Sequence, residues 1–162
     1  MPASFPPKAA LIPPSWREED KESASFGEPH VKGPGHVLII DDDADVRQLF
    51  QDILRAAGFE AVAAESGAEG LLVLRNDPQV RVILLDLLMP EMDGWRFRHH
   101  QLSHARFAVI PTVIVTGAPL GGAAHDQLKA ADYLSKPVPR DRLIDVVARY
   151  CDRAGTSDSP VQ

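Results

Sequence analysis

The stretch Val82-Ile83-Leu84-Leu85-Asp86-Leu87-Leu88-Met89-Pro90-Glu91-Met92-Asp93-Gly94 decides the fold. Four apolar residues run into a single carboxylate, and Pro90 and the Asp93-Gly94 pair then turn the chain. A continuous apolar run closed by turn residues is the pattern of a strand buried on both faces. In open sheets built from such strands, chemistry gathers just beyond the carboxyl ends. Asp86 falls at that edge. Taken alone it reads equally well as an aspartate opening a turn, so its role depends on what else reaches the same place.

Working outward, Val37-Leu38-Ile39-Ile40 is a second short buried strand, ending in Asp41-Asp42-Asp43. Val46, Leu49, Phe50, Ile53, Leu54 and Ala57 then recur at helical spacing until Gly58 ends the helix. Residues 60–64 make a weaker strand. Ser66 and Glu69 form a capping box ahead of Leu71, Leu72 and Leu74, and Asn76-Asp77-Pro78 stops that helix. After the strand 80–86, a helix is expected from Gly94 to about His104. A fourth strand is expected over 109–116, with Pro111 tolerated near its start. Residues 117–130 make a poor helix because Gly117, Pro119, Gly121 and Gly122 all weaken it, and this segment is expected to be mobile or partly unwound. A short strand over 131–135 and an amphipathic helix through Leu143, Ile144, Val146, Val147, Tyr150 and Cys151 complete the series.

Strands alternating with helices five times imply an α/β domain: a doubly wound, five-stranded parallel sheet with helices on both faces and right-handed crossovers. The expected organisation is a Pro-rich disordered tail over 1–35, one domain over 36–153 and a polar tail over 154–162. The first segment holds seven of the 14 prolines and the charged run Arg17 to Glu22, a composition that buries too little apolar surface to offset its ordering entropy. Trp16 with Leu11 and Ile12 is a candidate partner anchor within it.

Composition narrows the function classes. A net charge of −6, from 17 basic and 23 acidic residues, lacks an overall basic footprint for nucleic acid, and direct DNA binding is not expected. The single cysteine, Cys151, cannot form an internal disulfide, no run approaches the roughly 20 apolar residues of a membrane span, and a cytoplasmic protein is expected.

A parallel sheet puts its strand ends on one side, so Asp41, Asp42, Asp43, Asp86, Thr116 and Lys136 all fall at the carboxyl edge. Carboxylates from two strand ends repel each other without a counter-charge, and oxygen ligands suit a hard cation such as Mg²⁺. Lys136 offers a positive charge and Thr116 a hydroxyl for phosphate oxygens. The set is complete for forming an aspartyl phosphate.

At these residues the sequence resembles the receiver domain of two-component response regulators, of the stand-alone type with a flavodoxin-like fold. The resemblance covers about residues 36–153 and rests on four features: Asp41-Asp42-Asp43 after an apolar strand, the Leu84 to Gly94 block, Thr116, and Asp132-Tyr133-Leu134-Ser135-Lys136-Pro137. It implies that Asp86 accepts a phosphoryl group from a histidine kinase or histidine phosphotransfer protein. It also implies that Asp42, Asp86 and the Leu88 carbonyl bind Mg²⁺, with Asp41 acting mainly through water. Thr116 and Lys136 would sense the phosphoryl group, Tyr133 would be the aromatic switch, and Lys136-Pro137 would be a cis peptide. Output is then a shift between two states that changes partner docking, not catalysis on an external substrate, by a monomer or weak homodimer. Leu88 and Ala118 flank the approach of a hydrolytic water and neither orients one, so slow dephosphorylation is expected.

Other readings compete. Asp41, Asp43 and Asp45 imitate the start of an EF-hand loop, but Val46 stands where glycine is needed and Asp52 where glutamate is. An Asp-based phosphatase also uses Asp-x-Asp after a strand, yet leaves the Asp86 block unexplained. A receiver-like interaction module working without phosphate is the nearer alternative. His99, His100 and His104 have no cysteine or carboxylate at metal-ligand spacing and read as solvated. Trp95 is read as covering the packing face of its helix, and Arg47 as an exposed helix charge.

Overall fold

The computed structural model describes residues 35–155. The two expected tails, with Trp16, Leu11 and Ile12, lie outside the described residues or at their margins. Elements follow in the order β1 (His36–Ile40), α1 (Ala44–Ala56), β2 (Glu60–Ala64), α2 (Gly67–Asn76), β3 (Val80–Leu85), α3 (Gly94–Leu102), α4 (Ala105–Ala108), β4 (Thr112–Thr116), α5 (Gly122–Leu128), β5 (Asp132–Ser135) and α6 (Arg140–Gly155). The five strands are all parallel and ordered β2-β1-β3-β4-β5. This is the doubly wound α/β sheet that the alternation implies.

Each central strand sends alternate side chains to opposite faces. Leu38, Ile40, Ile83, Leu85 and Ile114 pack with Leu71, Leu74, Phe97, Phe107 and Leu128, so α2 to α5 cover one face. Val37, Ile39, Val82, Leu84, Val113 and Val115 pack with Phe50, Leu54, Leu143, Val146 and Cys151 from α1 and α6 on the other. Burial on both faces explains why these strands read as continuous apolar runs. At the outer edge, the Ala61 carbonyl of β2 accepts from Gln51 Nε2 at 3.3 Å and Arg55 Nη2 at 3.4 Å, both from α1.

Local chemistry sets the boundaries. Ser66 caps α2 through the Glu69 amide at 3.1 Å, as the sequence predicts, while the Glu69 carboxylate reaches one residue further back than in a capping box and accepts from the Glu65 amide at 2.7 Å. Gly70 lets α2 approach the sheet, because a Cβ there would stand 2.5 Å from Ile40 Cδ1.

Two boundaries differ from expectation. The fourth strand begins at Thr112, not Val109: residues 105–108 form the short helix α4, and Val109 follows it in αR geometry, 80% exposed. The weak segment 117–130 condenses to the seven-residue α5, with 117–121 irregular before it and Lys129 in left-handed geometry at φ 47° after it. Among the described residues no helix is long and apolar enough to cross a membrane.

Candidate functional site

The three successive aspartates after β1 have three different environments. Asp41 is 2% exposed; its Oδ1 accepts from the Asp43 amide at 2.9 Å and its Oδ2 from Lys136 Nζ at 2.6 Å. Asp42 is exposed. Asp43 turns away to cap α1, accepting from the Asp45 and Val46 amides at 2.9 and 3.3 Å. Two free amides of the helix's first turn are thereby satisfied. Asp43→Ala is expected to lower folding stability by about 1 kcal/mol, measured by denaturant titration, while leaving the cluster chemistry in place.

Asp86 lies one residue past the end of β3, its amide donating to the Ile40 carbonyl at 2.9 Å. This bond extends the β1–β3 ladder and sets the carboxylate beside Asp41 and Asp42. Ligand oxygens of the three aspartates all lie within 4.8 Å of one another. Asp86 Oδ1 accepts from the Leu88 amide at 3.3 Å, and Oδ2 lies 3.4 Å from Lys136 Nζ. Lys136 comes from beyond β5, where its amide donates to the Thr116 carbonyl at 3.0 Å and the Lys136-Pro137 peptide is cis. Thr116 is buried at the end of β4, its Oγ1 accepting from the Ala118 amide at 3.2 Å. The chain thus brings Asp41, Asp42, Asp86, Thr116 and Lys136 to one edge from four strand ends.

Burial raises the Asp86 pKa above the usual carboxylate value, the Asp41 charge raises it further, and Lys136 and the Leu88 amide oppose them. For Lys136, burial works against the ammonium, but the hydrogen bond and charge of Asp41, helped by Asp86, outweigh it and hold the pKa above the usual lysine value. One ammonium therefore serves two buried carboxylates with a third beside them. Such a set of oxygen donors with surplus negative charge fits a hard divalent cation.

A model of the response regulator receiver domain matches residues 37–148. The chain belongs to the response regulator receiver family. This receiver is 35% identical over 124 residues to the two-component response regulator ORR5 of rice, covering 75% of this chain and 89% of that protein. It is 37% identical over 117 residues to the transcriptional regulatory protein GlrR of Escherichia coli, spanning 26% of that longer chain. Among solved structures, a response regulator receiver protein from Pseudomonas putida superposes with a TM-score of 0.68 at 27% identity, covering 74% of this chain and 99% of that one. The chemotaxis protein CheY4 of Vibrio cholerae superposes with a TM-score of 0.67 at 25% identity, covering 72% and 98%.

Around the receiver cluster, Tyr133 on β5 is half-buried; its hydroxyl donates to the His125 carbonyl at 3.2 Å and its ring lies 4.0 Å from the His125 ring. Arg47 is not the exposed charge its helix position suggests: it is half-buried and its Nη1 donates to the Asp41 carbonyl at 2.7 Å, bracing the β1–α1 turn. Leu88 is 66% exposed at the mouth of the cluster. Trp95 is half-buried against the core, as expected. His99 is exposed and His104 stacks on Phe107 at 4.0 Å, and among the described residues only the three aspartates form a group able to hold a metal.

Proposed function

We propose that this receiver accepts a phosphoryl group on Asp86 from a histidine kinase or histidine phosphotransfer protein and signals by a shift between two conformations. The observation that carries the reading is the Asp86 carboxylate itself: buried, at a strand end, 3.4 Å from the Lys136 ammonium and grouped with Asp41 and Asp42. Asp42, Asp86 and the Leu88 carbonyl would hold Mg²⁺ directly, with Asp41 one water away. When bound, the ion supplies charge neutralisation of the phosphoryl oxygens.

An oxygen of Asp86 attacks phosphorus, the P–N bond to the donor histidine breaks, and the imidazole leaves with that electron pair. Lys136, held charged by its carboxylate neighbours, moves its ammonium from Asp41 toward the new oxygens. Thr116 uses its hydroxyl as an acceptor in the resting state, so its hydrogen is available to a phosphoryl oxygen. Inward movement of Thr116 opens the space behind it, and Tyr133 turns into that space after breaking its bond to the His125 carbonyl. Phosphorylation adds roughly 1.5 to 2 negative charges, enough to drive such a change when the oxygens gain new donors. The docking surface made by β4, α5 and β5 changes with it.

Incubation of the protein with Mg²⁺ and acetyl phosphate should add one phosphoryl group to the intact mass, mapping to the peptide that contains Asp86, and EDTA should prevent it. No gain, or a gain mapping elsewhere, overturns the reading. Phosphate lifetime is a separate matter. Leu88 stands exposed at the approach to the acyl phosphate and has no polar atom in its side chain to orient water, so Leu88→Asn is expected to speed loss of phosphate by roughly tenfold, a barrier change of about 1.4 kcal/mol. The decay of the phosphorylated mass after removal of donor measures it.

A further inference from the structure

Arg98 is 5% exposed, and among the described residues no carboxylate pairs with it. Its guanidinium is instead spent on hydrogen bonds. Nε donates to the Leu128 carbonyl at 2.7 Å and Nη2 to the Lys129 carbonyl at 2.6 Å, both at the carboxyl end of α5. Nη1 donates to Gln101 Oε1 at 2.8 Å and to Thr112 Oγ1 at 3.2 Å. Gln101 in turn donates to the Phe107 and Ile110 carbonyls, each at 3.0 Å. A cation on the last carbonyls of a helix meets both their unused lone pairs and the negative end of the helix dipole. Burial lowers the Arg98 pKa, and the four hydrogen bonds oppose that desolvation.

The two ends of α5 are held unequally. Leu128, the last residue, is its one buried member. A cleft of about 250 Å³ is lined by Trp95, Arg98, His99 and Leu102 of α3 and by Gln127 and Leu128 of α5. The amino end begins at Gly121, which gives no side-chain cap, and nothing stands within 4 Å of a Cβ built on Gly121 or Gly122. Between that end and the cluster lie the irregular residues 117–121.

We infer that Arg98 is a positioning residue of the switch: it pins the carboxyl end of α5, so that the segment from Thr116 to Leu128 moves as a lever about a fixed end. The inference rests on the phosphoacceptor reading for what drives the lever, and not for the anchor. Movement of Thr116 is passed to the glycine-rich amino end of α5, while Leu128 and Lys129 keep their places. Partners docking on α5 then meet a surface whose far end is constant and whose near end reports phosphorylation.

Amide exchange followed by NMR tests this on the full chain. The amides of Ala124 and His125 bond to Gly121, and that of Lys129 bonds to His125, so both ends have hydrogen-bonded probes. In the resting protein the Lys129 amide should exchange about tenfold or more slowly than those of Ala124 and His125. Arg98→Met should remove that ratio without changing exchange in α1, and Arg98→Lys, which keeps the charge but loses the fork, should restore part of it. An unchanged ratio in Arg98→Met overturns the anchor, as does a resting protein with no difference between the ends. If Arg98→Met fails to fold, shown by lost protection in α1, Arg98→Lys decides by the same ratio. After treatment with acetyl phosphate, exchange should change at residues 117–125 and stay constant at Lys129; the reverse pattern overturns the lever. A chain that takes up no phosphoryl group refutes the reading of Asp86, while the resting ratio still decides the anchor.

Discussion

Asp86→Asn is expected to abolish phosphoryl uptake completely and, in the same protein freed of divalent cations, to raise the melting temperature at neutral pH. The first effect follows from loss of the attacking carboxylate, since Asn offers a carbonyl of nearly the same shape and no nucleophilic charge. The second comes from linkage. Folding raises the Asp86 pKa above 3.8 through burial and the Asp41 charge. The folded chain therefore binds the proton more tightly than the unfolded one, and stability falls as pH rises from 3.8 through the raised value. Above that value the cost of the ionised group is present in full. Below 3.8 Asp86 is protonated in both states and the cost is gone. Asn never ionises, so the advantage of the variant should be largest near pH 7 and shrink as pH is lowered toward 3.8. Saturating Mg²⁺ should reverse the order, because an ion that binds only the folded wild type stabilises it by mass action. Thermal melts in EDTA and in Mg²⁺ at several pH values measure both signs. Equal melting temperatures at pH 7 in EDTA would count against mutual repulsion in the cluster.

Gly94→Ala is expected to destabilise the fold by about 3 kcal/mol, the upper range for overpacking, and to slow phosphorylation by roughly tenfold or more. Gly94 opens α3, with its amide donating to the Leu87 carbonyl at 3.1 Å while Asp93 caps the helix through the Arg96 amide at 2.9 Å. A Cβ on Gly94 would lie 2.4 Å from the Asp86 carbonyl oxygen and 2.7 Å from Leu87 Cα. Both obstacles are backbone atoms, so neither can swing aside as a side chain would. Either α3 retreats or the peptide following Asp86 shifts, and the carboxylate moves with it. Gly122→Ala is the matching control: its Cβ meets nothing within 4 Å, and the gain in helix propensity should stabilise slightly. Denaturant midpoints and the rate of mass gain with acetyl phosphate give the two readouts. A Gly94→Ala variant as stable and as reactive as wild type would show that the turn after β3 yields freely.

The fold was legible because burial on both faces leaves a plain mark: strands without polar interruption, each closed by turn residues. The edge cluster was legible for a topological reason, since parallel strands must release their chains on the same side. What escaped sequence reading is the interior of α3. Gly94, Phe97, Arg98 and Gln101 are its buried residues, and they fall at i, i+3, i+4 and i+7, the spacing of one helix face. Arginine and glutamine on that face defeat a hydrophobic count, and beside each other and Thr112 their partners are backbone carbonyls that no residue type announces. The stripe itself was present in the sequence; its polarity was the available sign. Val109 misled in the opposite way. Its β-branched side chain suits a strand, but Phe107 turns inward to the core and leaves Val109 in solvent. Arg47 was misread because a backbone carbonyl, the one at Asp41, takes its guanidinium.

The glutamine and arginine from α1 that occupy the Ala61 carbonyl bear on solubility. An outermost strand with bare carbonyls is a template on which a second chain can add by hydrogen bonding, the start of edge-to-edge aggregation. Gln51 and Arg55 fill one such acceptor with side chains, and Arg55 adds a positive charge along the same border. A stranger strand would have to displace both. Replacing the pair by alanine would leave the phosphate chemistry at the carboxyl edge of the sheet untouched and give a protein that precipitates more readily on storage.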